Sequence, residues 1–146
     1  MKIFKREQAE VAETEDNGVE SSSAPISVYL SGPFSGLGMK EAVELHRTCA
    51  AHLVRMGYAV VSPIMNSVAV WVSTREEVKA EWWLDLEPRL IEACDVVCVI
   101  ITPATFLSDG VRREVEIARQ KQKPLRGIIP LAGDRFVIAD LEDPHD

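Results

Sequence analysis

Apolar residues along the chain form two kinds of pattern, and the two kinds alternate. Short continuous apolar runs predict β-strands, whereas apolar positions spaced three to four residues apart predict helices. The strands are expected at 26–31, 58–62, 95–101 and 125–129, with a last short strand around 136–138. The helices are expected at 39–56, from about 75 to 94 and at 108–121, and residues 63–74 are expected to form a loop. Because strands that alternate with helices favour right-handed βαβ units, the pattern predicts a doubly wound, three-layer α/β domain. We expect it to be flavodoxin-like or Rossmann-like, with a parallel sheet of four or five strands.

Local signals indicate where several of these helices begin and end. Gly57 is placed to end the first helix as the residue after its C-cap, and Ser108 or Asp109 is placed to cap the last one. The middle helical region is expected to be interrupted or to restart near Pro88; if it restarts after Asp85, that residue is the N-cap and Pro88 lies in the first turn. Its inward stripe would then consist of Leu86, Leu90 and Ala93.

The first 25 residues differ in composition from the rest of the chain. They contain six acidic and three basic residues. They have few large apolar groups whose burial would offset the entropy lost on ordering. We therefore expect a mobile acidic leader over 1–25 and a single domain over 26–146. A chain of 146 residues is long enough for one hydrophobic core but not for two.

Charge and composition exclude several classes of function. The net charge is −7 and the Lys and Arg residues do not cluster, so we expect neither nucleic acid nor a membrane as a partner. No apolar run approaches the ~20 residues that span a bilayer. The three cysteines lack CxxC spacing and the three histidines lack metal-ligand spacing. We therefore expect no metal, no cofactor and a reducing, cytoplasmic environment.

One acidic residue stands where packing alone would not place it. On a helix over 108–121, Val111, Val115 and Ala118 form the inward stripe, and Glu114 falls within the same arc. Glu116 points the opposite way. A carboxylate on the apolar side of a helix is expected to have a shifted pKa and a functional role. The structural alternative is that negative charge is favourable near any helix N-terminus.

The predicted topology brings three loops to one end of the sheet. Ligands of doubly wound sheets bind beyond the carboxyl ends of the strands, where the strand order reverses. The loops there are 32–38, 63–74 and 102–110. Their candidate ligand-binding residues are Ser31, Gly32, Pro33, Phe34, Asn66, Ser108 and Gly110. Glycines allow a backbone to approach a phosphate. The spacing is nevertheless neither GxGxxG nor that of a P-loop, and an ordinary strand-to-helix turn explains it equally well.

Other residues near this crevice have both a structural and a functional interpretation. Tyr29, on the central first strand, is either a packing residue or a hydroxyl that reaches a carboxylate on the neighbouring helix. Asp85 either caps its helix or faces the crevice. Trp82 and Trp83 cannot share one helix face, so we expect one in the core and the other at the crevice or an interface.

In this order, these pieces resemble the nucleoside 2-deoxyribosyltransferase superfamily, which includes 2′-deoxynucleoside 5′-phosphate N-hydrolases and uncharacterised phage-associated relatives. The matching segments are VYLSGPF at 28–34, GYAVVSP at 57–63, WLDL at 83–86, CDVV at 94–97 and SDGVRRE at 108–114. The resemblance spans residues 28–129. It implies cleavage of the N-glycosidic bond of a small-molecule nucleotide or nucleoside, by hydrolysis or base transfer. It also implies a homodimer or larger homo-oligomer.

The resemblance implies roles for individual residues. Glu114 takes the position of the nucleophile, Tyr29 that of a tyrosine bonded to it, and Asp85 that of an acid that protonates or holds the leaving base. Ser108 is similar to the serine of members that recognise a 5′-phosphate, where transferases of unphosphorylated nucleosides carry Asp. Arg112 departs from the pattern, because a second glycine stands there in members with Gly-Val-Gly-x-Glu. An arginine either narrows the pocket or adds a phosphate contact.

Three other functions fit the same fold. A non-catalytic nucleotide-binding or sensing module would use Glu114 to hold ribose hydroxyls. A flavodoxin-like electron carrier would bind a flavin and be yellow. A pseudo-enzyme acting through its interfaces would place Trp71, Trp82 or Trp83 at the contact. Fold alone does not choose among these functions.

Overall fold

The computed structural model describes residues 24–74 and 80–145. The mobile leader expected at 1–25 therefore lies almost wholly outside the described residues. The same is true of the side chains of Trp71, Trp82 and Trp83. The strands are β1 (Ser27–Ser31), β2 (Ala59–Val61), β3 (Val96–Ile100), β4 (Leu125–Leu131) and β5 (Arg135–Glu142). The helices are α1 (Met39–Arg55), α2 (Pro63–Thr74), α3 (Ala80–Ala93) and α4 (Asp109–Gln120), with a 3₁₀ turn at Pro103–Leu107.

The five strands form one sheet in the order β2-β1-β3-β4-β5. Strands β2, β1, β3 and β4 are parallel, and β5 is antiparallel to β4. The chain leaves β1 for β2 on one side and then returns to add β3 on the other, so the order reverses between β1 and β3. This confirms the doubly wound α/β fold and places its switch point at β1 and β3.

The predicted parallel sheet is confirmed for β2, β1, β3 and β4, and the last strand, β5, differs in being antiparallel. Only a short turn separates β4 from β5, and both Gly133 and Asp134 in that turn have positive φ angles. A parallel pair requires a crossover of a dozen or more residues, whereas a short turn joins antiparallel neighbours. The strand expected around 136–138 is therefore the centre of an antiparallel edge strand.

Alternation along β1 divides the core between the two faces of the sheet. Val28 and Leu30 pack with Cys49 and Leu53 of α1. Tyr29 packs on the opposite face, in the cluster that contains Ile91, Val111 and Ala118. Because successive strand residues point to opposite faces, Ser31 shares the face of Tyr29. β1 therefore presents two polar side chains towards α3 and α4.

Two predictions for the middle of the chain are wrong. Residues 63–74 form helix α2 and not a loop, which agrees with Pro63 at its first position, where a proline is well tolerated. Helix α3 runs through Pro88 without restarting, so Asp85 lies within it and is not an N-cap. Among the described side chains of α3 and its end, which begin at Leu84, the buried ones are Glu87, Ile91 and Cys94. The expected stripe of Leu86, Leu90 and Ala93 is displaced from these positions, and Ala93 is exposed.

The helix ends around the sheet agree better with the sequence. Gly57 has a φ of 98°, as the residue after a C-cap commonly does. Ser108 caps α4, and its hydroxyl accepts a hydrogen bond from the Val111 N–H at 3.2 Å. No helix among the described residues is long and apolar enough to cross a membrane.

The loop that follows β1 is pressed against the core at Gly32. A Cβ atom there would lie 2.7 Å from Cδ1 of Ile100 and 2.9 Å from Cε1 of His46. The His46 ring is buried, and its Nε2 lies 3.1 Å from the Pro33 carbonyl oxygen, which ties α1 to the loop. Gly32 is therefore required by close packing.

We expect Gly32→Ala to lower the free energy of unfolding by about 1–3 kcal/mol, because the new methyl group displaces the His46 ring or Ile100. Gly38→Ala is the matched control, since the nearest contact of its added Cβ is an exposed Glu41 side chain at 4.0 Å. Urea denaturation of both variants measures the difference. Equal losses in the two variants would contradict the packing argument.

Candidate functional site

Helix α4 brings the Glu114 carboxylate against the end of β1. Val111, Glu114 and Ala118 are the buried residues of this helix, so Glu114 lies on its inner face as predicted, and it is only 8 % exposed. The Ser31 hydroxyl donates a hydrogen bond to Oε1 of Glu114 at 3.1 Å. The carboxylate is thus buried on an apolar helix face and bonded to a side chain of the central strand.

Burial dominates the electrostatics of Glu114. It raises the pKa of this carboxyl from 4.5 to about 7, because removal from water disfavours the charged form. The neighbouring charge of Glu87 raises the pKa further, whereas Tyr29, Ser31 and Arg113 lower it. Near neutral pH the group therefore exists in both its acid and carboxylate forms, which suits a residue that takes part in chemistry.

Tyr29 lies beneath Glu114 on the same face of β1. Its side chain is fully buried, and burial, followed by the charge of Glu114, raises the pKa of this phenol well above its usual range. The hydroxyl is close enough to lower the pKa of Glu114. It nevertheless has no hydrogen bond of good geometry within the described part of the chain. The Tyr29 hydroxyl and the Glu114 carboxylate are therefore adjacent but not bonded, and Tyr29 is protonated and able to donate.

A second acidic side chain, Glu87 of α3, is buried beside Glu114. It is 7 % exposed and forms a two-pronged ion pair with Arg113 of α4. Nε and Nη2 of Arg113 donate to Oε2 and Oε1 of Glu87, both at 3.0 Å. Paired geometry of this kind is among the strongest of charged contacts, because each carboxylate oxygen has its own donor. It joins α3 to α4 at the edge of the site.

These side chains border a cleft of about 440 Å³ at the carboxyl ends of the strands. Its volume lies within the range of roughly 300–1,000 Å³ that is usual for small-molecule sites. The described lining residues are Leu30, Gly32, Phe34, Ser35, Pro63, Ile64, Ser67, Leu84, Glu87, Leu107, Ser108, Asp109, Gly110, Arg113 and Glu114. Pro63, Ile64 and Leu84 therefore supply apolar surface from α2 and α3, beside the charged pair of Glu87 and Arg113, and the cleft is polar where α4 begins.

The structure brings together most, but not all, of the predicted site residues. Those that line the cleft are Gly32, Phe34, Ser108, Gly110 and Glu114. Ser31 donates a hydrogen bond to the Glu114 carboxylate, and Tyr29 lies next to that carboxylate without a bond of good geometry. Neither is among the described lining residues. Three other predicted residues do not line the cleft. Pro33 is buried with its carbonyl oxygen near His46, and Asn66 and Asp85 are exposed.

Glu87 and Arg113, two of the charged residues that line the cleft, were not predicted from the sequence. A signal for Glu87 exists, because it precedes Ile91 by four residues and Cys94 by seven, which places all three on one helix face. Arg112 is not among the described lining residues; its side chain is 71 % exposed and pairs with Asp109 at 3.4 Å. It therefore does not narrow the pocket.

No group of three or more His, Cys, Asp or Glu side chains is arranged to hold a metal ion within 24–74 and 80–145. The three cysteines are free and buried. Burial raises the pKa of each thiol, to about 12 for Cys49. They pack in the core and contribute no ligand to the cleft.

We expect Glu114→Gln to stabilise the protein at pH 8 by about 1–3 kcal/mol. The pKa of Glu114 is higher in the folded protein than in the unfolded chain. Its stabilising contribution is therefore complete below about pH 4.5 and is lost as the pH rises through 7. Glutamine removes that loss. Thermal unfolding at pH 5 and pH 8 measures the effect, and most of the advantage should disappear at pH 5. An advantage that does not depend on pH would contradict this account.

Comparison with known proteins yields a family but no activity. A search of curated proteins finds no match. Residues 23–128 match a family described as Domain of unknown function (DUF1937). The matched segment extends from just before β1 into β4 and includes every described residue that lines the cleft. Because this match covers well over half of the sequence, the chain belongs to the DUF1937 family.

Proposed function

We propose that this protein cleaves the N-glycosidic bond of a nucleotide or nucleoside, with the Glu114 carboxylate as the nucleophile. The observation that carries the proposal is the buried Glu114 carboxylate at the floor of a small-molecule cleft, with a pKa of about 7. The resemblance to nucleoside 2-deoxyribosyltransferases supports the same reaction.

The chemistry suits a single buried carboxylate. Breaking a glycosidic bond passes through a state with positive charge at the anomeric carbon, and a carboxylate next to that carbon can trap it covalently. Desolvation makes the ionised Glu114 more reactive, because water no longer stabilises its charge. Ser31 holds Oε1 of Glu114 at 3.1 Å. This contact leaves Oε2 as the oxygen for bond formation.

The beginning of α4 suits the 5′ end of the ligand. Helix N-termini present unpaired N–H groups and a partial positive charge, both of which favour phosphate. Ser108 and Gly110 line the cleft at this point. The Ser108 hydroxyl oxygen accepts from the Val111 N–H, so its own proton remains available to an anion. We therefore favour a 5′-monophosphate over an unphosphorylated nucleoside.

The base then lies towards α2 and α3. Ile64 and Leu84 supply apolar surface on that side, and Glu87 and Arg113 supply polar groups. Asp85, the acid implied by the resemblance, is exposed and outside the described cleft. In our proposal Glu87, two residues later, faces the departing base together with its partner Arg113. A cytoplasmic location and a homodimer or larger homo-oligomer remain predictions.

We expect the wild-type protein to release free base from a panel of ribo- and deoxynucleoside 5′-monophosphates and their parent nucleosides. Glu114→Gln should lower the rate by at least about 10³-fold, because an amide does not form the covalent intermediate. Liquid chromatography of the free base measures both. Glu116→Gln on the same helix is the matched control and should retain the rate, since Glu116 is exposed.

Two outcomes of that experiment would reject the proposal. Release by Glu114→Gln at the wild-type rate would remove the nucleophile assignment. The proposal would also be rejected if the wild type released no base from any compound while nucleotides still raised the thermal stability of both the wild type and Glu114→Gln. The protein would then be a nucleotide-binding module.

The pH dependence gives an independent test of the role of Glu114. A nucleophile must be ionised, so kcat/KM should rise with pH through an inflection near 7, the pKa of Glu114, and level off above it. Ser31→Ala should move this inflection to higher pH, because the Ser31 hydrogen bond lowers the pKa of Glu114. Initial rates between pH 5 and pH 9 measure both profiles. A rate that falls through pH 7 would assign Glu114 as a general acid instead.

A further inference from the structure

Arg113 is the only cationic side chain among the described residues that line the cleft. It directly precedes Glu114 in the chain, and its side chain is 42 % exposed. Its Nε and Nη2 atoms both bond to Glu87. Nη1 forms no hydrogen bond within the described part of the chain, so its two N–H groups are available to a ligand.

Glu87 is poorly suited to act as a proton donor. Both of its carboxylate oxygens accept N–H groups of the same guanidinium at 3.0 Å. A proton on either oxygen would face one of these donors and break the paired contact. The pair therefore offers a departing base a cation and a hydrogen-bond donor, but no acid.

We propose that Arg113 stabilises the departing base as an anion, so that the base leaves without prior protonation by a carboxylic acid of the cleft. This inference rests on the proposed glycosidase function and defines its leaving-group chemistry. The favoured substrates are those whose bases carry negative charge well, such as oxo-substituted pyrimidines and purines. Electron-withdrawing substituents should make them better still.

The bonding changes balance without a further reactant. An oxygen of the Glu114 carboxylate forms a bond to C1′, and the C1′–N bond breaks with its electron pair going to the base nitrogen. The anionic base is then paired with Nη1 of Arg113. Water next attacks C1′ and delivers hydroxide to the sugar and a proton to the base. The C1′–O bond to Glu114 breaks and restores the carboxylate.

The test compares two leaving groups in each variant. The probes are the 5′-monophosphates of deoxyuridine and 5-fluorodeoxyuridine, and those of deoxyadenosine and 2-fluorodeoxyadenosine, at about pH 6. Fluorine stabilises the departing anion and so reduces the need for a cation. Arg113→Met should lower kcat/KM by about 10²-fold on the unsubstituted nucleotide and by less than about 10-fold on its fluoro analogue. The ratio within one variant cancels any change in the ionisation of Glu114.

Further variants separate this role from a structural one. Arg113→Lys keeps the charge without the paired geometry, and it should restore a ratio close to that of the wild type. Arg113→Gln removes the charge but keeps a side-chain N–H group, and it replaces Arg113→Met if that variant does not fold. Arg119→Met removes the same charge from the far end of the same helix, where the side chain is 52 % exposed and pairs with Glu142, and should leave both rates unchanged.

The outcomes distinguish this inference from the proposed function. Equal losses on both members of a pair in Arg113→Met, or in Arg113→Gln where that variant replaces it, would overturn the leaving-group role and leave the glycosidase intact. Absence of base release by the wild type from every probe would overturn both. A greater loss on the unsubstituted nucleotide supports the inference.

Discussion

The chemistry of the cleft depends on the burial of one carboxylate, that of Glu114. A buried carboxylate is costly unless neighbouring groups compensate its charge. Here Ser31 donates to it, Tyr29 lies against it and Arg113 contributes a nearby positive charge. The compensation is incomplete, because the pKa of Glu114 stays at about 7. The fold therefore holds this group between its charged and uncharged forms. Functional sites commonly lower stability in this way.

The second acidic group has a different environment and therefore a different chemistry. Glu87 is as deeply buried as Glu114, but both of its oxygens bond to one guanidinium. Glu114 has a single hydrogen bond of good geometry within the described residues, from Ser31. Two carboxylates in one site thus divide their roles according to their partners. The ion pair between Glu87 and Arg113 also fixes α3 against α4. Glu87 therefore contributes to both the shape and the electrostatics of this edge of the cleft.

The sequence predicted those parts of the site that follow from regular geometry. The 100° rotation per residue placed Glu114 on the inner face of α4, and the central first strand offered Tyr29 as a neighbour of that carboxylate. Ser31 was expected to bind a ligand, and the structure places its hydroxyl on Glu114. Glu87 was not predicted, because the spacing of the apolar residues favoured Leu86, Leu90 and Ala93 as the inner stripe of α3. A buried charge whose partner lies 26 residues away interrupts that pattern. Ion pairs between helices depend on tertiary packing, and one sequence carries no direct signal for them.

The distribution of charge along the cleft bears on where the phosphate and the base lie in the proposed reaction. The protein is acidic overall, with a net charge of −7, so a negative ligand must be held by local groups. At the start of α4 these groups are N–H donors and the Ser108 hydroxyl, which bind an anion without a full positive charge. The one cation among the described lining residues, Arg113, is paired with Glu87 of α3, on the side where the base lies in our proposal. A full positive charge is of most use where negative charge develops during the reaction, because only interactions that strengthen in the transition state increase the rate. This asymmetry favours a base that departs towards α3 and a phosphate that serves to position the ligand.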